Sequence, residues 1–97
     1  MGYRLIVTQE DIDNANNRRH DPNQIFFYNS HCPIAMALRR DLAQGGRYPS
    51  ISVYGSYARV EHRKIYFPPQ VSNRISEWDE FETMEPFEID LWGEEDD

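Results

Sequence analysis

Between Val71 and Leu91 the acidic and apolar residues of this chain are interleaved with two different periods. Val71, Ile75 and Trp78 recur at i, i+4 and i+7, with Phe81 or Glu82 at the end of the stripe, which predicts an amphipathic helix. Phe87, Ile89 and Leu91 alternate with Glu88 and Asp90, which predicts a strand with one buried face. Pro68-Pro69 opens the helical pattern and Glu85-Pro86 breaks it. An acid-rich segment with these periods has to fold, because each element carries apolar residues that need covering. Only Glu94 to Asp97 then read as a solvated tail.

The charge is divided along the chain. Residues 1–74 hold all ten Lys and Arg and sum to about +4, whereas residues 75–97 hold eleven acids and no Lys or Arg. The whole carries a formal −7 with a pI near 4.8. Such a split speaks to partners and not to a reaction. Direct nucleic-acid binding is not expected, because its phosphate contribution needs net positive charge.

The remaining elements follow from local patterns. Tyr3 to Val7 is short and β-branched, a strand. Thr8 with Asp11 three residues on makes a capping box, and a short helix over 9–16 should fray early in its asparagines. Asp21-Pro22-Asn23 is a turn, and Ile25 to Tyr28 is either a short strand or an apolar loop on the core. Pro33 to Gln44 is a helix that buries Ile34, Ala37, Leu38 and Leu42, and Gly45-Gly46 ends it. Residues 51–67 read as strands, with a hairpin turn at Glu61-His62-Arg63. The chain is therefore expected to be α+β, a small, mostly antiparallel sheet with two to three helices packed on one face. Residues 1–92 would form a single domain and 93–97 an acidic tail.

Weighed for chemistry, the sequence offers no catalytic residue. Cys32, beside His31 at a helix start, has the setting of an activated thiol. No third group accompanies it, and a lone cysteine is more commonly a buried plug or cap. His20, His31 and His62 lie too far apart to suggest a metal site, and no cofactor motif is present. Arg39, Arg40, Arg59, Arg63 and Lys64, interleaved with tyrosines, could hold a nucleotide or another phosphorylated small molecule. The simpler reading is that they are solvated or paired internally. The acids Glu77, Asp79, Glu80, Glu82, Glu85, Glu88 and Asp90 fall on structured segments, so they would form a surface of fixed shape. Such a surface could meet a basic partner or merely aid solubility.

The single cysteine excludes an internal disulfide, and no apolar run approaches the roughly 18 residues that a bilayer span needs. The N-terminal residues carry no signal-peptide pattern. A soluble cytoplasmic protein without membrane contact is the expectation.

Four segments carry a resemblance. Val7-Thr8-Gln9-Glu10-Asp11-Ile12 resembles a V-T-x-E-D-I opening, and Cys32-Pro33-Ile34-Ala35-Met36-Ala37-Leu38 a C-P-I-A-x-A-L helix start. Tyr66-Phe67-Pro68 resembles Y-x-L-P, and Glu85-Pro86-Phe87-Glu88-Ile89 a closing x-P-F-E-F. In this order they resemble a group of small bacteriophage- and prophage-encoded proteins without an assigned activity. The insertion at 14–31 and the acidic ending depart from that pattern. The resemblance implies a phage accessory protein working in the host cytoplasm, and it transfers no site residues. A non-enzymatic binder is the leading expectation. It would inhibit or modulate a host protein with a basic surface, such as a nucleic-acid-binding defence complex, in the manner of an anti-CRISPR or other anti-defence inhibitor. A sequestering binder of a nucleotide is the alternative, and a homodimer is compatible with either.

Overall fold

The computed structural model describes residues 2–43 and 50–95, with backbone alone for Glu94 and Glu95. The elements are β1 (Gly2–Val7), α1 (Gln9–His20), α2 (Tyr28–His31), α3 (Pro33–Leu42), β2 (Ile51–Val53), β3 (Tyr57–Val60), β4 (Arg63–Tyr66), α4 (Pro69–Phe81) and β5 (Phe87–Glu95). The five strands form one sheet in the order β1-β5-β4-β3-β2, with every pairing antiparallel. The fold is α+β.

Alternation along the strands decides which face is covered. Leu5, Val7, Ile51, Val53, Ala58, Val60, Ile65 and Leu91 point to one side and are buried. They meet Ile12 and Ala15 of α1, Ile34, Ala37 and Leu38 of α3, and Val71 and Trp78 of α4 in one core. At roughly 25 cal/mol per Å² of apolar area, this layer is the main driving force for folding. Among the described residues no helix lies on the opposite side of the sheet, and Ile6, Tyr66 and Trp92 are exposed there.

The chain starts its helices as the local chemistry dictates. Thr8 Oγ1 accepts from the Asp11 N–H at 3.2 Å while the Thr8 N–H donates to Asp11 Oδ2 at 2.9 Å, a complete capping box. Pro33 and Pro69 each occupy a first helical turn, where a missing N–H costs nothing.

Several bounds differ from the sequence reading. α1 runs on to His20 instead of stopping at 16. Its asparagines are poor helix formers, but Asn16 Oδ1 accepts the Trp78 indole N–H at 2.7 Å, and Arg18, Arg19 and His20 complement the C-terminal dipole. Ile25 to Tyr28 forms no strand. It leads into the single turn α2, and only Phe26 reaches the core, its ring 5.9 Å from that of Trp78. α3 ends at Leu42, and the expected stop at Gly45-Gly46 lies outside the described residues. β5 is longer than its apolar alternation, because β4 continues to offer it partners at Ile65↔Gly93, Lys64↔Glu94 and Arg63↔Glu95.

Two non-glycine residues take left-handed backbone, Glu61 at φ 54° and Glu82 at φ 57°. Each is held by its own carboxylate. Glu61 accepts from the Ser50 N–H at 2.9 Å across the hairpin end. Glu82, the C-cap of α4, pairs with Arg19 at 3.2 Å and with His20. Those contacts offset the roughly 1–2 kcal/mol that a left-handed residue with a Cβ costs.

Candidate functional site

The seven acids expected to form one surface are distributed over both sides of the sheet. Glu88 and Asp90 stand on the open face, where Arg4 binds both, at 2.8 Å and 3.0 Å. Glu82 is committed to Arg19 and His20. Asp79 lies beside it on α4, and partial burial raises its carboxyl above the ordinary range, with Arg19 pulling the other way. Glu77 and Glu80 are exposed on the outer flank of α4, and Glu85 is exposed on the segment leading to β5.

Arg19 organises this end of the molecule. Its guanidinium donates to the carbonyls of Trp78 and Asp79, each at 2.9 Å, and lies over the rings of Trp78 and Tyr28 at 4.8 and 4.9 Å. It therefore gives the Asp79 carbonyl at the end of α4 a donor, and adds a second one to the Trp78 carbonyl, which already accepts the Glu82 N–H at 2.9 Å. Nothing local in the sequence could have revealed this, because about 60 residues separate the partners.

The outer flank of α4 is built from its period. Val71 and Trp78 are wholly buried, which fixes the helix's rotation and turns positions 77, 80 and 81 outward. Phe81, the third residue after Trp78, is 70% exposed, and Glu77 precedes it by one helical turn. Phe81, with Glu77 one helical turn before it, is thus an exposed aromatic on an anchored helix; Ile25, Phe27 and Tyr28 are the other large apolar side chains left exposed on the helical side among the described residues.

The five basic residues expected to hold a phosphate do not converge. Arg40 donates from Nε and Nη2 to the buried Asp11 carboxylate at 3.1 and 3.0 Å, and from Nη2 to the Ile6 carbonyl at 2.9 Å. Arg39 donates to the Ser30 carbonyl at 2.8 Å. Both sit in the helical layer. Arg59 and Lys64 are cross-strand neighbours on the open face, and the Lys64 ammonium lies over the Tyr57 ring at 5.6 Å. Arg63 is exposed at the β3–β4 hairpin.

Cys32 caps α3. Its Sγ accepts from the Ala35 N–H at 3.5 Å, and the side chain is buried. Burial pushes the thiol up to about 11, the opposite of what a nucleophile needs. The His31 imidazole is pushed below its ordinary pKa, first by burial and then by Arg18 and Arg39, and its Nδ1 accepts the Phe27 N–H at 3.0 Å. It therefore faces its own loop instead of activating Cys32. The expected result is slow labelling of native Cys32 by a thiol reagent at pH 8, at least about 100-fold slower than in denaturant, given the thiolate fraction that such a shift leaves. Fast native labelling would contradict the burial described.

Among the described residues no group of three His, Cys, Asp or Glu is placed to hold a metal ion, and no helix is long and apolar enough to cross a membrane. A shallow cleft of about 340 Å³ lies where the end of β1 meets Pro86 to Glu88. Its walls include Ile6, Val7 and Phe87, and Glu88 is the one titratable group among its lining residues. Compared with family models, curated proteins and solved structures, the chain finds no match.

Proposed function

We propose that this chain is a non-enzymatic binding protein that inhibits or modulates a partner protein through the outer flank of α4. The observation that carries this reading is Phe81, 70% exposed beside Glu77 and Glu80 on a helix anchored by Trp78. Aromatic residues that a fold leaves in water, on a rigid support, are the commonest anchors of protein interfaces. The flanking carboxylates select a partner whose pocket is ringed by Lys or Arg. A protein that normally holds nucleic-acid phosphates has such a surface. With the resemblance to phage-encoded proteins, the reading becomes a host-directed inhibitor of the anti-CRISPR or other anti-defence kind.

The test is capture of a partner from host lysate at low and high salt, comparing the native chain with Phe81→Ala and with Glu77→Gln/Glu80→Gln. Phe81→Ala should weaken the specific interaction at least tenfold at any salt. The charge variant should lose mainly the salt-sensitive part. A partner held equally by all three proteins would reject the reading.

A further inference from the structure

The connection between α1 and α3 is tied down by two arginines. Arg18 of α1 donates from Nε to the Ile25 carbonyl at 3.2 Å, and Arg39 of α3 donates from Nη2 to the Ser30 carbonyl at 2.8 Å. Both charges act on the imidazole of His31. That ring is also where the connection closes on itself. The Phe27 N–H donates to His31 Nδ1 at 3.0 Å, and the rings of Phe26 and Phe27 stand 5.8 and 6.1 Å from the imidazole. Phe27 is the N-cap of α2, so this bond fixes where the turn begins.

A nitrogen that accepts an N–H must be unprotonated, so this bond exists only with the neutral ring. Protonating Nδ1 would set two donors against each other. It would also add a third positive charge beside two guanidiniums that stay charged at any ordinary pH and are held in place by their own hydrogen bonds. The other elements around the ring do not compensate. β2 packs on α2 without a titratable side chain. Asp79 of α4 interacts with Arg19 and Cys32, and the Tyr28 hydroxyl accepts from Arg19 at 3.1 Å. None of the ion pairs among the described residues includes His31. The Phe27 carbonyl would favour a charged ring, but it already accepts the N–H groups of Ser30 and His31 at 3.0 and 2.9 Å.

We propose that His31 is a pH-sensitive latch: protonation of its imidazole releases residues 25–31 while the sheet and helices α1, α3 and α4 stay folded. A histidine pushed below its ordinary value stabilises the closed connection fully above about 6.5, and that stabilisation is lost as pH falls from there towards the lowered value. Opening is local because little of the core holds this stretch. Of its large apolar side chains only Phe26 packs against the core, beside Trp78, whereas Ile25, Phe27 and Tyr28 are already exposed. In the released state Phe26 joins them, so mild acid presents an apolar surface that neutral pH keeps partly covered. The proposal stands independently of the function assigned to the α4 flank.

The test is an NMR titration of the full chain from about pH 7.5 to about pH 5, following the histidine rings and the exchange of backbone amides corrected for their intrinsic rates. His31 should carry its proton on Nε2 at neutral pH and titrate below about 6.5, with the Phe27 amide shifting at the same midpoint. Protection of the Phe27, Ser30 and His31 amides should fall about three- to tenfold, the scale of one lost hydrogen bond, while that of β4 and β5 stays constant. His31→Asn places an amide oxygen where Nδ1 stood and does not titrate, so its protection should not change with pH. His20→Asn, at the pair with Glu82, should keep the native response. A His31 that titrates at or above its ordinary value overturns the proposal, as does a connection whose protection is constant across the range. So do a His31→Asn chain that opens with the native pH dependence, a response that disappears in His20→Asn, and an equal loss of protection in β4 and β5, which would make the opening global.

Discussion

Replacing Trp78 by alanine is expected to remove most of the stability of this domain. The side chain is wholly buried, and truncating a buried tryptophan costs about 3–5 kcal/mol. The substitution also strands the Asn16 amide oxygen, which accepts the indole N–H at 2.7 Å, and takes away one of the two rings on which Arg19 lies. A chain of this length has about 5–15 kcal/mol in total, so the loss is comparable with the lower end of that range. In a thermal melt the midpoint should fall by roughly 20 °C, or the transition should lose its cooperativity. Phe81→Ala, three residues away and in water, should stay within about 0.5 kcal/mol of the native chain. A Trp78→Ala protein that melts normally would mean that α4 is not packed as described, and the outer flank would lose its anchor.

The second large effect is expected at Arg40. Asp11 is 3% exposed and accepts four hydrogen bonds, two from Thr8 in the capping box and two from the Arg40 guanidinium. The same guanidinium donates to the Ile6 carbonyl, so one side chain of α3 ties the start of α1 to the end of β1. Arg40→Ala leaves a buried carboxylate with its cap alone and should cost about 2–3 kcal/mol, since an unsatisfied charged group loses its full desolvation energy. Arg40→Lys should recover less than half, because an ammonium cannot form both parallel bonds. Urea unfolding should show a lower midpoint at an unchanged slope. A midpoint unchanged in Arg40→Ala would free this residue for a ligand and revive the phosphate-site reading.

How far the sequence could be read depended on the range of each interaction. The α4 stripe, the β5 alternation and the Thr8–Asp11 capping box are local patterns, and each appears where its spacing predicts. The α+β class follows from them. The length of α1 was not legible, because Asn16 is stabilised by Trp78 and Arg19 by the end of α4, both about 60 residues away. The surfaces were the least legible. Burial of Trp78 and Leu91 explains why the acids cannot form one face. The helix period turns Glu77 and Glu80 away from the sheet, while the strand period puts Glu88 and Asp90 on its far side beside Arg4. Tyr54, Tyr57, Tyr66 and Trp92 become neighbours on the open face only through strand order.

The central claim is that the acidic last quarter of the chain is divided between the two sides of the sheet, and that its α4 flank alone meets the partner. The measurement that tests it most directly is partner capture, with a thermal melt as the control for folding, taken on two variants in parallel. Phe81→Ala with Glu77→Gln and Glu80→Gln is expected to lose the partner and keep the native melting midpoint. Asp90→Lys, on the open face of the sheet, is expected to bind the partner as the native chain does. If both variants lose partner binding together, or if Asp90→Lys alone abolishes it, the acids act as one surface and the division proposed here is wrong.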